Sequence, residues 1–154
     1  MTEEKQQNSE MQLVIFKLGR EEYGVSILQV QEIKRITEIT RVPHTPDYIK
    51  GVINLRGSVL PVIDLKNRLN LPKQGSTEDM RIIIVKVKDI SVGMIVDAVS
   101  EVMTINEKDI DSPDVVAGSV SANYLSGVGK LENRLLILLN LEEITGLGQE
   151  ANLV

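Results

Sequence analysis

The segment from Val14 to Leu69 is written a second time, in weakened form, from Ile83 to Thr145. Laid without gaps at an offset of 69, Val14–Ile33 (VIFKLGREEYGVSILQVQEI) meets Ile83–Val102 (IIVKVKDISVGMIVDAVSEV). Ile15/Ile84, Lys17/Lys86, Gly24/Gly93, Val30/Val99 and Glu32/Glu101 coincide. At an offset of 76, Gly51–Leu69 meets Gly127–Thr145. Here Gly51/Gly127, Val52/Val128, Leu55/Leu131, Leu60/Leu136 and Leu65/Leu141 coincide, and Asp64 meets Asn140. A duplicated unit of about sixty residues predicts two similar small lobes with a seam between them, and such seams commonly bind something. The copies span about residues 13–69 and 82–145, within a unit of 11–146.

Apolar residues make up 42% of the 154-residue chain, but aromatics only 3%. The core must therefore be aliphatic. A net charge of −5 argues against a general binder of nucleic-acid backbone. With no cysteine, disulfides, thiolate nucleophiles and thiolate metal sites are excluded. No apolar stretch is long enough to span a bilayer, and none resembles a signal peptide, so a cytoplasmic protein is expected.

Residues 1–10 are polar and without period, and are expected to be a disordered tail, with a second short tail at 147–154. Gln12–Leu18, a Gly19–Glu22 turn and Tyr23–Val25 read as a hairpin. Simple alternation through Val30–Ile36 puts Val30, Glu32, Lys34 and Ile36 on one face and Gln31, Ile33 and Arg35 on the other. Thr40–Val42 continues as strand before Pro43 and Pro46 force a loop, and Pro46–Lys50 reads as a short helical turn. Gly51–Leu55, Gly57 and Val59–Ile63 form strand, turn and strand, with Asp64 capping a short helix at Leu65–Leu69. The second copy repeats the series down to Asn140, which caps Leu141–Thr145. The fold class is all-β, two closely packed small barrels. The copies need not match the lobes residue for residue, because strands can be exchanged across the seam.

Catalytic chemistry is missing. The one histidine, His44, sits in a Pro-flanked loop, and with no Cys beside it there is no ordinary zinc set. Gly127–Lys130 (GVGK) fails as a phosphate loop, because Tyr124 and Leu131 stand where the motif needs Gly and Ser or Thr. No cofactor is expected. Gly24 and Gly93, inside strand patterns, read equally as bends or as sites of partner contact. Arg56 has Glu132 as its counterpart, so its charge belongs to one copy only.

Four segments carry a resemblance: Glu21–Ile33 (EEYGVSILQVQEI), Thr45–Leu65 (TPDYIKGVINLRGSVLPVIDL), Val92–Val102 (VGMIVDAVSEV) and Asn123–Glu142 (NYLSGVGKLENRLLILLNLE). Together they are similar to the CheW family of bacterial chemotaxis coupling proteins, from Gln12 to Thr145. The resemblance implies two five-stranded SH3-like barrels and no enzymatic activity. It implies a scaffold linking cytoplasmic tips of chemoreceptors to the histidine kinase CheA, held at the inner face of the membrane through the receptors.

Carried over position by position, the resemblance gives Val14, Ile27, Val30, Ile33, Val99 and Val102 as apolar walls of a receptor groove, with Glu32 and Gly93 beside it. Thr40, Arg41, Val42, Gly51 and Arg56 fall on the face toward the kinase regulatory domain, and Glu32 is the expected ion-pair partner of Arg56. Val116 stands where relatives carry an aromatic at a ring contact in receptor arrays, and valine offers less area. An opening Met and only nine residues after Thr145 suggest a free-standing adaptor rather than a module of a larger kinase or receiver-fused protein. A nucleic-acid-binding barrel would want basic grooves with stacking aromatics, which this composition does not supply.

Overall fold

Unbroken apolar runs at Leu13–Phe16 and Ile82–Val85 have no place on a strand with one wet face. Both runs are buried on two sides. The computed structural model describes residues 9–73, 75–116 and 122–147. Its strands are β1 (Glu10–Leu18), β2 (Glu21–Ser26), β3 (Val30–Arg35), β4 (Ile49–Leu55), β5 (Ser58–Asp64), β6 (Arg81–Val87), β7 (Ile90–Val96), β8 (Ala98–Asn106), β9 (Ile110–Asp111), β10 (Leu125–Leu131) and β11 (Arg134–Leu139). Two short helices, α1 (Leu65–Arg68) and α2 (Leu141–Thr145), follow β5 and β11.

The strands form two sheets, in the orders β3-β6-β7-β5-β4 and β8-β1-β2-β11-β10-β9. Each copy has given its first hairpin to the other lobe. Lobe 1 combines β3–β5 with the β6–β7 hairpin of the second copy, and lobe 2 combines β8–β11 with the β1–β2 hairpin of the first. The exchanged hairpins are inner strands of their new sheets, which is why their side chains are buried on both faces. In β6, Ile82 and Ile84 enter the lobe 1 core with Ile53, Leu60 and Val62, while Ile83, Val85 and Val87 enter a central core between the sheets. In β1, Leu13 and Ile15 enter the lobe 2 core, while Val14, Phe16 and Leu18 enter the central one.

The helix caps are as read. The Asp64 carboxylate accepts from the N–H of Asn67 at 3.3 Å, and the Asn140 side chain accepts from Glu142 and Glu143 at 3.1 and 3.3 Å. Several expectations are corrected. Neither sheet closes into a barrel, and the second lobe has six strands rather than five. A 3-10 turn at Glu107–Asp109 bends the chain between β8 and β9, so these two become opposite edges of one curled sheet. Of Thr40–Val42 only Thr40 pairs, through an isolated bridge to Val52; Arg41 and Val42 are exposed loop. Pro46–Lys50 is not a helical turn: Asp47 and Tyr48 make a simple turn, with the Ile49 N–H bonded to the Pro46 carbonyl at 3.0 Å, and Ile49 and Lys50 already belong to β4, while the Tyr48 carbonyl accepts from the Asp64 N–H at 2.8 Å. Glu10, expected in the first tail, opens β1, and Leu147, expected in the second, packs on the central core; residues 1–8 and 148–154 lie outside the described set.

Gly51 and Gly127 follow register shifts at matching places in the two copies, and another segment crosses each of them. Gly51 has φ +154°, and a Cβ there would strike the carbonyl oxygen of Thr40. A Cβ on Gly127 would meet Ile110 Cγ2 at 2.6 Å. Gly51→Ala is expected to destabilise the fold by about 2 kcal/mol or more, through backbone strain and loss of the Thr40–Val52 bridge. Urea unfolding measures this, and an unchanged midpoint would contradict the crossing.

Tyr23, 1% exposed, stacks on Phe16 with ring centroids 6.0 Å apart. Burial, reinforced by the Glu21 carboxylate, pushes its phenol up to about 12 from an ordinary 10.0. The folded state therefore holds the proton more tightly than the unfolded chain does. That contribution is complete below pH 10 and lost as pH rises toward 12. In alkaline melts, Tyr23→Phe should flatten this part of the stability curve; a curve of unchanged slope would argue against it.

A candidate docking groove along the seam

Strands β3 and β8 are repeat counterparts, and each is one edge of its sheet. Simple alternation would send Val30 and Ile33 to opposite faces. A register shift intervenes instead. Val30 pairs with Val85 and Glu32 with Ile84, so Gln31 is an extra residue, and Ile33 then pairs with Ile83. Val85 and Ile83 both belong to the central core, whereas Ile84 belongs to the lobe 1 core. Cross-strand partners share a face, so Val30 and Ile33 both look toward the seam and Glu32 toward lobe 1.

The second copy repeats the device. Val99 pairs with Phe16, Glu101 with Ile15 and Val102 with Val14, with Ser100 as the extra residue. Two apolar strips result, Val30/Ile33 on β3 and Val99/Val102 on β8, both on the side of the central core. Ile27, Val30 and Val99 pack partly buried on the central core. Ile33 and Val102 stand 40% and 53% exposed. Leu28, 92% exposed beside Ile27, extends the apolar strip and escaped the sequence reading; its signal was a leucine inside a short turn capped by Ser26, whose hydroxyl accepts from the Leu28 N–H at 3.2 Å.

Val14 is a correction. At 2% exposure it is buried in the central core beside Val102, its partner on the neighbouring strand, and cannot line a surface. Gly93 is likewise interior. A Cβ there would meet Ile82 Cγ2 at 2.9 Å and Val62 Cγ2 at 3.4 Å, so its role is to make room inside lobe 1. Gly24 does the same in lobe 2, against Ile15 and Leu138 at 3.2 Å each.

Glu32 reaches Arg56, whose guanidinium nitrogen donates to its carboxylate at 2.8 Å. The hydrogen bond from Arg56 holds the Glu32 carboxyl below the ordinary carboxylate range, so the pair is intact at neutral pH and opens only as pH falls through that lowered value. Arg56 and Gly57 form the two-residue turn between β4 and β5, with φ of +51° and +91°. Left-handed backbone is costly for arginine and ordinary for Asn or Gly in such a turn. Gly51 lies further down the same β4 strand, and Thr40 bridges to its neighbour Val52, so these candidates gather on lobe 1, with Arg41 and Val42 in the exposed loop beyond. An exposed apolar pair, Val59 and Ile90, flanks the Arg56 turn in a shallow hollow of about 560 Å³. In lobe 2 the counterpart of Glu32 is Glu101, and it meets not residue 132 but Arg134, at 2.7 Å. Arg134 also grips Glu22 through two bonds of 2.9 Å. The Val116 backbone ends a 3-10 turn from Pro113, and its side chain lies outside the described set.

A family model described as the CheW-like domain matches residues 12–147. The chain belongs to the CheW-like family. It is 42% identical to the chemotaxis protein CheW of Bacillus subtilis, covering 86% of this chain and 85% of that protein. Against the chemotaxis protein CheW of Klebsiella aerogenes it is 41% identical, over 86% of this chain and 80% of that protein. A crystal structure of the scaffolding protein TtCheW from Thermoanaerobacter tengcongensis superposes with a TM-score of 0.82 at 39% identity, covering 87% and 86% of the two chains. The CheW-like family is non-catalytic, and this member is a chemotaxis coupling or scaffold protein that works in signalling complexes. No helix among the described residues is long and apolar enough to cross a membrane.

The strained Arg56 turn yields a stability test. Arg56→Asn relieves left-handed strain and gives up only an exposed ion pair, so its Tm is expected to rise by a degree or more. A lower Tm in a thermal melt would show that the Glu32 bridge outweighs the strain.

Proposed function

We propose that this protein joins the cytoplasmic tips of chemoreceptors to the histidine kinase CheA, and that receptors thereby hold it at the inner face of the membrane. A receptor helix lies along the seam between β3 and β8, and the kinase regulatory domain docks on lobe 1 around Arg56, Gly51 and Thr40–Val42. The observation that carries this reading is the pair of matched register shifts at Gln31 and Ser100. They bring Val30/Ile33 and Val99/Val102 onto one face of the seam, at a spacing of three residues on each wall. Two apolar walls beside a partly buried floor suit an amphipathic helix laid in a groove.

The lobe 1 face has different chemistry. It offers the Glu32–Arg56 pair and the exposed Val59 and Ile90, which suit a folded partner domain rather than a single helix. Keeping an arginine in a conformation that glycine or asparagine would take more readily also points to use rather than stability. The turn ending at Val116 is the candidate for a second kinase contact, on the other lobe.

Charge on either groove wall tests the assignment. Ile33→Glu and Val102→Glu replace exposed side chains and should leave the fold intact by circular dichroism. Setting a carboxylate against apolar helix residues costs about 2–3 kcal/mol, so the receptor-tip fragment should bind ~30-fold or more weakly. Affinity for the kinase regulatory domain should hold within about twofold. Arg56→Glu should give the reverse pattern. Loss of both partners together in a groove variant, or of neither, overturns the assignment.

A further inference from the structure

The helices α1 and α2 extend from β5 and β11, each three strands removed from β3 and β8 in its sheet. Arg68, the last residue of α1, reaches across to α2. Its Nε donates to the Ile144 carbonyl at 2.7 Å, and a terminal nitrogen donates to the Glu143 carbonyl at 3.1 Å. The guanidinium also lies 3.9 Å from the ring centroid of Tyr48 and 4.9 Å from that of Tyr124.

Tyr48 and Tyr124 are repeat counterparts at the offset of 76. Each accepts, through its backbone carbonyl, the N–H of the residue capping its own lobe's helix, Asp64 or Asn140, at 2.8 Å. Both rings pack partly buried on the central core. Arg68 breaks the symmetry, because its counterpart is Ile144, the residue whose carbonyl it binds. One cation thus serves a place where strict duplication would put two like charges.

The chemistry of the contact is a fork. The last carbonyls of a short helix have no partner within the helix, and a planar guanidinium can take two of them while its faces rest on aromatic rings; here the Glu143 carbonyl also accepts from the Gly146 N–H at 3.3 Å. Helix α1 continues a strand of lobe 1, and α2 a strand of lobe 2. Leu65, Leu141 and Ile144 of these helices, with Leu69 just after α1, all sit in the shared core. A bond between the helices therefore constrains how one sheet lies against the other.

We infer that Arg68 is a positioning residue: it fixes the angle between the lobes and with it the separation of the walls Val30/Ile33 and Val99/Val102. For the use of that separation in holding a helix, the inference rests on the function proposed above. A groove of fixed width binds a rigid helix without first having to order itself.

The absence of cysteine makes the test direct. Arg35 and Thr104 are exposed counterparts at the offset of 69, on β3 and β8. Nitroxide labels on Arg35→Cys/Thr104→Cys report wall separation by double electron–electron resonance, with no partner present. The parent should give one narrow distance distribution. Arg68→Gln should broaden or shift it, and Arg68→Lys, which keeps the charge but not the fork, should recover it only in part. In the unlabelled protein, Arg68→Gln should weaken a receptor-tip fragment about five- to tenfold by loosening the groove, with kinase-domain affinity held within about twofold.

If Arg68→Gln does not fold, Tyr124→Leu decides, since it removes one ring and leaves both hydrogen bonds. A distribution that stays narrow and unmoved in the folded variant overturns the inference, and so does a broadened one with unchanged receptor affinity. If the parent protein itself does not bind the receptor fragment, the proposed function fails, while the distance measurement still judges Arg68.

Discussion

Everything in this molecule depends on the reciprocal exchange of hairpins across the central core. The β1–β2 and β6–β7 hairpins each belong by sequence to one copy and by hydrogen bonding to the other lobe. Exchange forces these strands to be apolar on both faces, one toward a lobe and one toward the seam. Neither lobe can leave without stripping inner strands from its neighbour. The central core, with Phe16, Tyr23, Ile83 and Met94 at its heart, is a condition for both lobes rather than an interface between finished domains.

On that frame, extra residues do the shaping. Register shifts occur in matched pairs, at Gln31 and Ser100 and again at Lys50 and Ser126. The first pair turns a strict alternation into a spacing of three, which lets one strand serve the seam with Val30 and Ile33 while Glu32 serves lobe 1. The second pair precedes Gly51 and Gly127, where Thr40 or β9 crosses so closely that a side chain has no room.

Difference between the lobes comes from charged residues set on this symmetric frame. Glu32 and Glu101 keep equivalent places, but one meets an arginine in a strained turn and the other meets Arg134 at the start of a strand. Arg134 is shared with Glu22, and these bonds raise its pKa further above the ordinary guanidinium value, so lobe 2 has its charges tied down where lobe 1 leaves Arg56 exposed. Arg68 and Ile144 are a further unequal pair. A duplicated scaffold can in this way present two unlike faces without changing its backbone plan.

Much of this was written locally. Strand runs, the caps Asp64 and Asn140, the duplication itself and the want of catalytic groups follow from residue type and spacing, because caps, turns and periodicity act over a few residues. The pairing of Glu32 with Arg56 was legible only through family resemblance, since a separation of 24 residues along the chain sets no distance between them. Three-dimensional packing decided the rest. Val14 reads like Val102 in sequence, yet is buried where Val102 is exposed, because β1 is an inner strand and β8 an edge. Ile33 joined the seam because one unpaired residue reversed the alternation. Arg68 found its two tyrosines because exchanged strands carried the two copies around a common core. Composition and period specify which residues must be buried; which neighbour buries them depends on strand order, and strand order is a property of the whole chain.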